Sequence, residues 1–344
     1  MVHRASGPRS IDPARAATNV PDAIGRLIGR EEDIAALKRL LVEHRMITVA
    51  GTGGIGKTRL VQEVARSIVD RYANGVWWVD LSALAGPTDI VPAIAAAARQ
   101  WLGPGESAAQ LARLLSARDT LIVLDNCEHL LPELAATAHA ILTMAPYVRL
   151  LATSQQALRL EGEYCYRLDP LSLPPRGTTL EAARSYGAIL LLEQRAQASD
   201  RRFVLHGAAG EAAVELCRQL DGIPLAIEMA ATRLPTLGAA ALGSRLAALR
   251  SASRVAPARQ RTLRATLEWS YSLLNALEQA VLRRLAIFVG GFRIDIAQQV
   301  ALADGDGCSM PCLDWWTARW CKLSVASLCA TDCSRRCALL RPRN

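Results

Sequence analysis

Apolar positions along this chain follow two rhythms, and the change from one to the other divides it. In the first half, short aliphatic runs alternate with stretches of helical spacing. Met46-Ile47-Thr48-Val49-Ala50 is compact and rich in β-branched residues, as a buried strand should be. Before it, Ile34, Leu37, Leu40 and Leu41 predict a helix over Glu31 to Glu43, and after it Leu60, Val61, Val64, Ala65, Ile68 and Val69 predict one reaching Tyr72. Further strands are predicted over Gly75 to Leu81, Thr120 to Asn126, Val148 to Gln155 and Tyr166 to Leu171, with a helical stretch closing at Leu111 to Ser116. Such alternation implies an α/β fold, a parallel sheet with helices on both faces. Pro170, Pro174 and Pro175 then break the pattern, and from Leu180 to Leu249 the texture is wholly helical, with breaks at Gly207, Gly210, Asp221-Gly222 and Pro235. A further helical unit starts at Leu263 and runs past Trp269, Leu274, Leu282 and Phe288.

The strongest chemical signal sits between the first predicted strand and the helix after it. Residues 51 to 58 read Gly-Thr-Gly-Gly-Ile-Gly-Lys-Thr, the pattern G-x-x-x-x-G-K-[ST]. Gly51, Gly53, Gly54 and Gly56 let the backbone curve, around Ile55, into a concave loop whose N–H groups face one anion. The helix N-terminus adds its dipole. Lys57 is placed to reach the β- and γ-phosphates of a nucleoside triphosphate, and Thr58 to ligate Mg²⁺. Asp125 ends the aliphatic run Leu121-Ile122-Val123-Leu124, at the carboxyl end of a strand where open α/β sheets bind ligands, and is the natural partner of that Mg²⁺. Catalytic work therefore falls to Lys57 and Asp125, and the metal to Thr58 and Asp125. Thr153 and Ser154 end the next strand; they are placed either to hydrogen-bond the γ-phosphate or attacking water, or to cap the following segment. Glu128 is read either as a residue that orients water or as a helix-surface acid.

Composition narrows the class. With 344 residues and 51% hydrophobic content, the chain can bury more than one core. Its longest uncharged apolar stretch, Ile90 to Ala98, is too short to span a bilayer, and Met1 to Arg26 lacks the apolar segment of an export signal, so a cytoplasmic protein with no membrane partner is expected. The net charge of +8 invites a nucleic-acid reading, but half of the excess lies in residues 308 to 344. That tail also holds six of the nine cysteines, Cys308, Cys312, Cys321, Cys329, Cys333 and Cys337, at spacings unlike common zinc knuckles. An out-of-frame or degenerate tail is the favoured expectation, ahead of a native disordered tail or a metal site. Cys127, Cys165 and Cys217 are expected to be buried small hydrophobes.

Six motifs in order resemble the STAND-class (NB-ARC-like) signalling ATPases, above all the module of bacterial regulators that couple it to a winged-helix or LuxR-type DNA-binding domain. They are Leu27-Ile28-Gly29-Arg30-Glu31, the phosphate loop, Val123 to His129, Leu151-Ala152-Thr153-Ser154, Gly222-Ile223-Pro224-Leu225-Ala226, and Leu267 to Tyr271 followed by Phe288 to Phe292. The resemblance implies a linker over 1–25, a P-loop nucleotide-binding domain over 26–175, a helical lid domain over 176–250, a linker over 251–261, a partial winged-helix-like domain over 262–304 and an atypical tail over 305–344. It places Arg30 near adenine and Pro224 on the base, with ADP holding the domains together and ATP exchange opening them for self-association or a regulatory protein partner. DNA would be reached only through a domain missing from this chain, so a truncated or interrupted member is expected. Gln155 stands where many relatives carry a γ-phosphate-sensing Arg. The implied function is an ATP/ADP switch with Mg²⁺ and slow or no hydrolysis; an active ATPase and a nonfunctional remnant are the alternatives.

Overall fold

In the computed structural model, the residues described are 17–22, 25–82, 84, 86–103 and 107–252, with Tyr271, Gln279, Ala280, Arg283 and Arg284. The expected winged-helix-like unit, apart from those last five residues, and the cysteine-rich tail lie outside them.

Strand and helix alternate where the aliphatic runs and helical spacings do. The chain runs through α1 (Glu31–Glu43), β1 (Met46–Ala50), α2 (Lys57–Ser67), β2 (Val76–Asp80), α3 (Ile90–Ala97), α4 (Ala108–Leu115), β3 (Thr120–Asp125), α5 (Leu131–Met144), β4 (Val148–Ser154) and β5 (Glu163–Arg167). It continues as helices α6 (Leu180–Ala183), α7 (Gly187–Ser199), α8 (Gly207–Gln219), α9 (Pro224–Ala231), α10 (Leu234–Leu237) and α11 (Ala239–Ala252). The strands form a parallel sheet in the order β2-β3-β4-β1-β5, so β4 is inserted between the strand that enters the phosphate loop and the strand that ends in Asp125. Ala50 pairs with Ser154, Leu124 with Ala152, and Asp80 with Asp125. One side of the sheet's end is thereby lined with polar side chains.

Side chains alternate across each strand and feed two cores. On one face Val79, Ile122, Leu124 and Leu150 meet Ile94, Leu111, Leu134 and Ile141 from α3, α4 and α5. On the other, Ile47, Val49, Val123 and Leu151 meet Leu37 and Leu41 of α1 and Leu60, Val61 and Val64 of α2. Because both faces of the sheet are covered, β1 and β3 are buried along their whole length, with Thr48, Thr120 and Asp125 the polar exceptions to an aliphatic pattern. The helices after Pro175 have a third core of their own, with Ile189, Leu192, Leu216, Leu220, Ile223, Ile227 and Leu242 buried together.

Four sequence expectations are corrected. The fifth strand lies at Glu163–Arg167 rather than Tyr166 to Leu171. It is an edge strand, tolerant of polar residues, and its start is set by the Glu163 carboxylate, which accepts from the N–H groups of Leu158 and Leu160 at 2.9 and 3.1 Å. Leu168 and Leu171 belong to the segment that leaves it. Cys165 sits on that edge and is exposed, whereas Cys127 and Cys217 are buried. The helix after the phosphate loop ends at Ser67, and Val69–Arg71 forms a separate 3₁₀ turn. Packing also starts within the expected linker over 1–25: Thr18 bridges Val76, and the Asn19 amide brackets Trp78, accepting from its N–H at 2.6 Å and donating to its carbonyl at 2.9 Å. Residues 17–22 thus close the β2 edge, which the proline and arginine content of the leader did not reveal.

Candidate functional site: the phosphate loop and its lid

The loop takes its shape from glycines at two positions that an L side chain rarely occupies. Gly54 and Gly56 have φ of +76° and +97°. Gly51 is anchored to the inserted strand, its N–H donating to the Ser154 carbonyl at 3.2 Å, and the Leu60 N–H closes the first turn of α2 on the Gly56 carbonyl at 3.0 Å. Lys57 is buried to 9% exposure, and its Nζ lies within the loop, donating to the carbonyls of Gly51 at 2.8 Å and Thr52 at 3.2 Å. The loop thus wraps an ammonium, the positive charge that a polyphosphate would meet there.

Thr58 and Asp125 meet beside it. The Thr58 hydroxyl donates to Asp125 Oδ1 at 2.9 Å, joining the first turn of α2 to the end of β3. The parallel register explains a third member: Thr153 on β4 lies beside Asp125, and its hydroxyl donates to the same oxygen. That hydroxyl also accepts from the Asn126 N–H at 3.0 Å, while the Asn126 amide donates to Asp125 Oδ2 at 3.1 Å. Asp125 is fully buried, and burial lifts its carboxyl from the usual range to about 7; hydrogen bonds from Thr153 and Thr58 oppose the rise, and Asp80 and Glu128 add to it. A divalent cation would reverse that balance. The Thr58 hydroxyl and the Asp125 carboxylate are hard oxygen donors, a chemistry that fits Mg²⁺, which the two would hold.

The sequence left Thr153 and Ser154 between two roles. Ser154 caps the next segment, its Oγ accepting from the Gln156 N–H at 3.3 Å. Thr153 braces Asp125. Gln155 turns toward β3, donating to Glu128 Oε1 at 3.3 Å. Arg30, only 5% exposed, donates to the Ile55 carbonyl of the loop at 3.0 Å and pairs with Asp33 at 3.0 Å; Asp33 in turn accepts from the Tyr166 hydroxyl of β5. Arg30 therefore shapes the loop from outside. It also lines an open cleft of about 750 Å³ between residues 26–33 and the start of α7.

The helical unit rests on the loop. The Leu225 N–H, the first that α9 has to give after Pro224, donates to the Gly54 carbonyl at 3.1 Å. A Cβ at Gly54 would come within 2.9 Å of the Leu225 side chain, and one at Gly56 would meet Pro224 at 4.0 Å. The structure so brings Gly51, Gly54, Ile55, Gly56, Lys57, Thr58, Asp125, Thr153, Ser154, Arg30 and Pro224 to one place, with Gly53 in the same loop. Sequence reasoning missed Leu225, Asn126, Asp33 and Tyr166, whose roles come from register and from contacts distant in sequence.

Comparison with known proteins agrees with this geometry. The model of the AAA ATPase domain matches residues 26–160. An uncharacterised protein of Mycobacterium tuberculosis (strain ATCC 25618 / H37Rv) is 35% identical over 284 residues, 81% of this chain and 70% of that protein. A protein of the same strain, named as an HTH-type transcriptional regulator, is 38% identical over 278 residues, 78% of this chain and 29% of that protein. The regulatory protein AfsR of Streptomyces griseus is 29% identical over 86% of this chain and 30% of its own length. Among solved structures, a STAND protein with a tetratricopeptide repeat sensor from Pyrococcus horikoshii superposes with a TM-score of 0.55 at 12% identity, covering 97% of this chain and 44% of that one. The chain belongs to the family of that uncharacterised mycobacterial protein and carries an AAA ATPase domain. It matches about 30% of the length of the two proteins named as regulators, each about three times as long as this chain. No helix among its described residues is long and apolar enough to cross a membrane.

Proposed function

We propose that this chain is a STAND-class nucleotide-dependent switch: it holds ADP or ATP with Mg²⁺ in the phosphate loop, hydrolyses ATP slowly or not at all, and signals by the seating of its helical lid. One observation carries the reading. The lid touches the loop itself, through the Leu225 N–H on the Gly54 carbonyl and Pro224 over Gly56, so a group held by the loop and the position of the lid share the same atoms. In this reading residues 26–175 bind nucleotide and residues 176–250 form the lid. A bound Mg²⁺ would supply charge neutralisation at the β- and γ-phosphates. Lys57 adds a positive charge to the loop, Thr58 and Asp125 hold the metal, and Thr153 fixes the Asp125 rotamer. The engagement of Glu128 by Gln155 supports slow turnover, because a carboxylate already accepting a bond is a weaker base for water. Relatives named as regulators suggest that DNA is reached through segments other than those described here.

The test is the melting temperature of the full chain with ADP, with ATP and Mg²⁺, and with neither, beside Lys57→Ala. Ligand at about 100 times its dissociation constant adds about 2.7 kcal/mol, a rise of a few degrees. A rise that is larger with ADP and lost in the variant supports the switch. Turnover above roughly one per second, as kinases reach, would refute it.

A further inference from the structure

The face of α9 that meets the loop continues one turn further. Pro224 and Leu225 reach Gly56 and Gly54, and Glu228, one turn on, reaches Arg59, three residues after Gly56 on α2. The Arg59 guanidinium lies 3.6 Å from Glu228 Oε1. The same oxygen accepts from Arg195 of α7, at 3.1 Å from Nε and 2.9 Å from the terminal nitrogen. Arg59 also donates to the Gly25 carbonyl at 3.3 Å. All three side chains are largely shielded, at 27%, 20% and 24% exposure. One carboxylate thus holds two cations that belong to different packing units: Arg59 to the helix that bears Lys57 and Thr58, Arg195 to the lid core.

We infer that Arg59, Glu228 and Arg195 form an electrostatic latch that keeps the lid seated on the phosphate loop, and that Glu228 is its keystone. The inference deepens the switch reading and rests on it. Loss of Glu228 does more than remove an attraction, because it leaves two guanidinium groups facing each other across the lid boundary. A lid so loosened uncovers Gly54 and Gly56, and nucleotide leaves sooner. Shielding raises the value of the contact above that of an exposed pair, and separation of the units lets water and salt reach it. The latch is therefore cooperative with closure: the last contact to be protected and the first to weaken.

The experiment tracks amide exchange of the nucleotide-free full chain at residues 52–58 and 222–227, for wild type, Glu228→Gln, Glu228→Arg and the full swap Arg59→Glu, Arg195→Glu and Glu228→Arg, which sets one base between two acids. Exchange is expected to speed up by about fivefold in Glu228→Gln and further in Glu228→Arg, and to return toward wild type in the swap. Wild type moved from 0.1 to 1 M salt should shift in the same direction at the same two segments, while amides in α5 stay unchanged. Unaltered exchange in both single variants and across the salt series overturns the latch, as does acceleration spread evenly over the molecule. Should Glu228→Arg fail to fold, the Glu228→Gln and salt arms decide. Since no nucleotide is present, a latch that responds in a chain that binds no ADP would leave the inference standing and sink the switch.

Discussion

The phosphate loop and the lid are held by different means. The loop is embedded: it joins β1 to α2, its Gly51 is bonded to β4, its Ile55 carbonyl to Arg30, and the acid beside it is braced from two neighbouring elements. Its geometry is the by-product of a sheet with apolar packing on both faces. The lid instead carries its own core, and it meets the loop through one backbone hydrogen bond, a proline, a leucine and a shared carboxylate. Ile28 against the lid core and Gly29 against Gly187 extend that boundary, and on the switch reading it parts while each core stays folded. Rigid loop and detachable lid are what a switch needs, since a ligand shifts a conformational equilibrium only by binding the two states unequally.

Core truncations should break that comparison most visibly. Leu150→Ala, in the sheet core, and Leu192→Ala, in the lid core, should each cost about 2–5 kcal/mol, both residues being wholly buried. If the cores are separate, denaturant unfolding monitored by exchange will show the first change mainly in the sheet and the second mainly in α7 to α9. Asp125→Asn comes next. The buried carboxyl titrates near 7, so the native chain keeps a proton that the unfolded chain releases above roughly pH 4. Nucleotide-free stability should therefore fall as pH rises from about 4 to about 7 and level off above, by roughly a few kcal/mol, whereas the variant should lack that slope. Chemical denaturation across pH reads it directly, and Mg²⁺-dependent stabilisation should be lost in the same variant. Lys57→Ala should weaken ADP binding by about 100-fold, a charge-assisted loss, measured by titration calorimetry, with little effect on either core. Smallest is Gly54→Ala, which strains a positive φ and pushes on Leu225; it should cost about 1–3 kcal/mol in melting, and part of that should vanish when Leu225 is also Ala.

The same contrast governs how much of the molecule is legible in its sequence. The loop, Asp125 and the interior strands are legible because their chemistry is local: an octapeptide, an aliphatic run, an acid at its end. The helix over Glu31–Glu43 is legible from Ile34, Leu37, Leu40 and Leu41, which lie on a face shared with α2. What sequence does not disclose depends on neighbours. Thr153 stands open between a phosphate contact and a cap in the sequence, and its bond to Asp125 shows only once the register sets β4 beside β3. The edge strand at Glu163–Arg167 has no apolar signature because its outer side needs none, and Thr18 and Asn19 carry no periodicity because they bond β2 through a bridge and one amide. Glu228 and Arg195 read as ordinary helix-surface charges, 33 residues apart, and only the packing of α7 on α9 unites them.

The two bonds that Gly54 and Ile55 accept have an effect beyond holding the backbone. The Gly54 carbonyl shares a peptide plane with the Ile55 N–H, and the Ile55 carbonyl with the Gly56 N–H. An amide whose oxygen already accepts a bond is polarised, and its N–H becomes a stronger donor, by about 10–30% per bond in condensed-phase estimates. Leu225 of the lid and the Arg30 guanidinium thus each draw electron density along one peptide group of the loop. On the proposed reading, seating the lid would sharpen the loop's grip on a bound anion electronically, without moving an atom of it, and a carbonyl stretching frequency at Gly54 would register the difference.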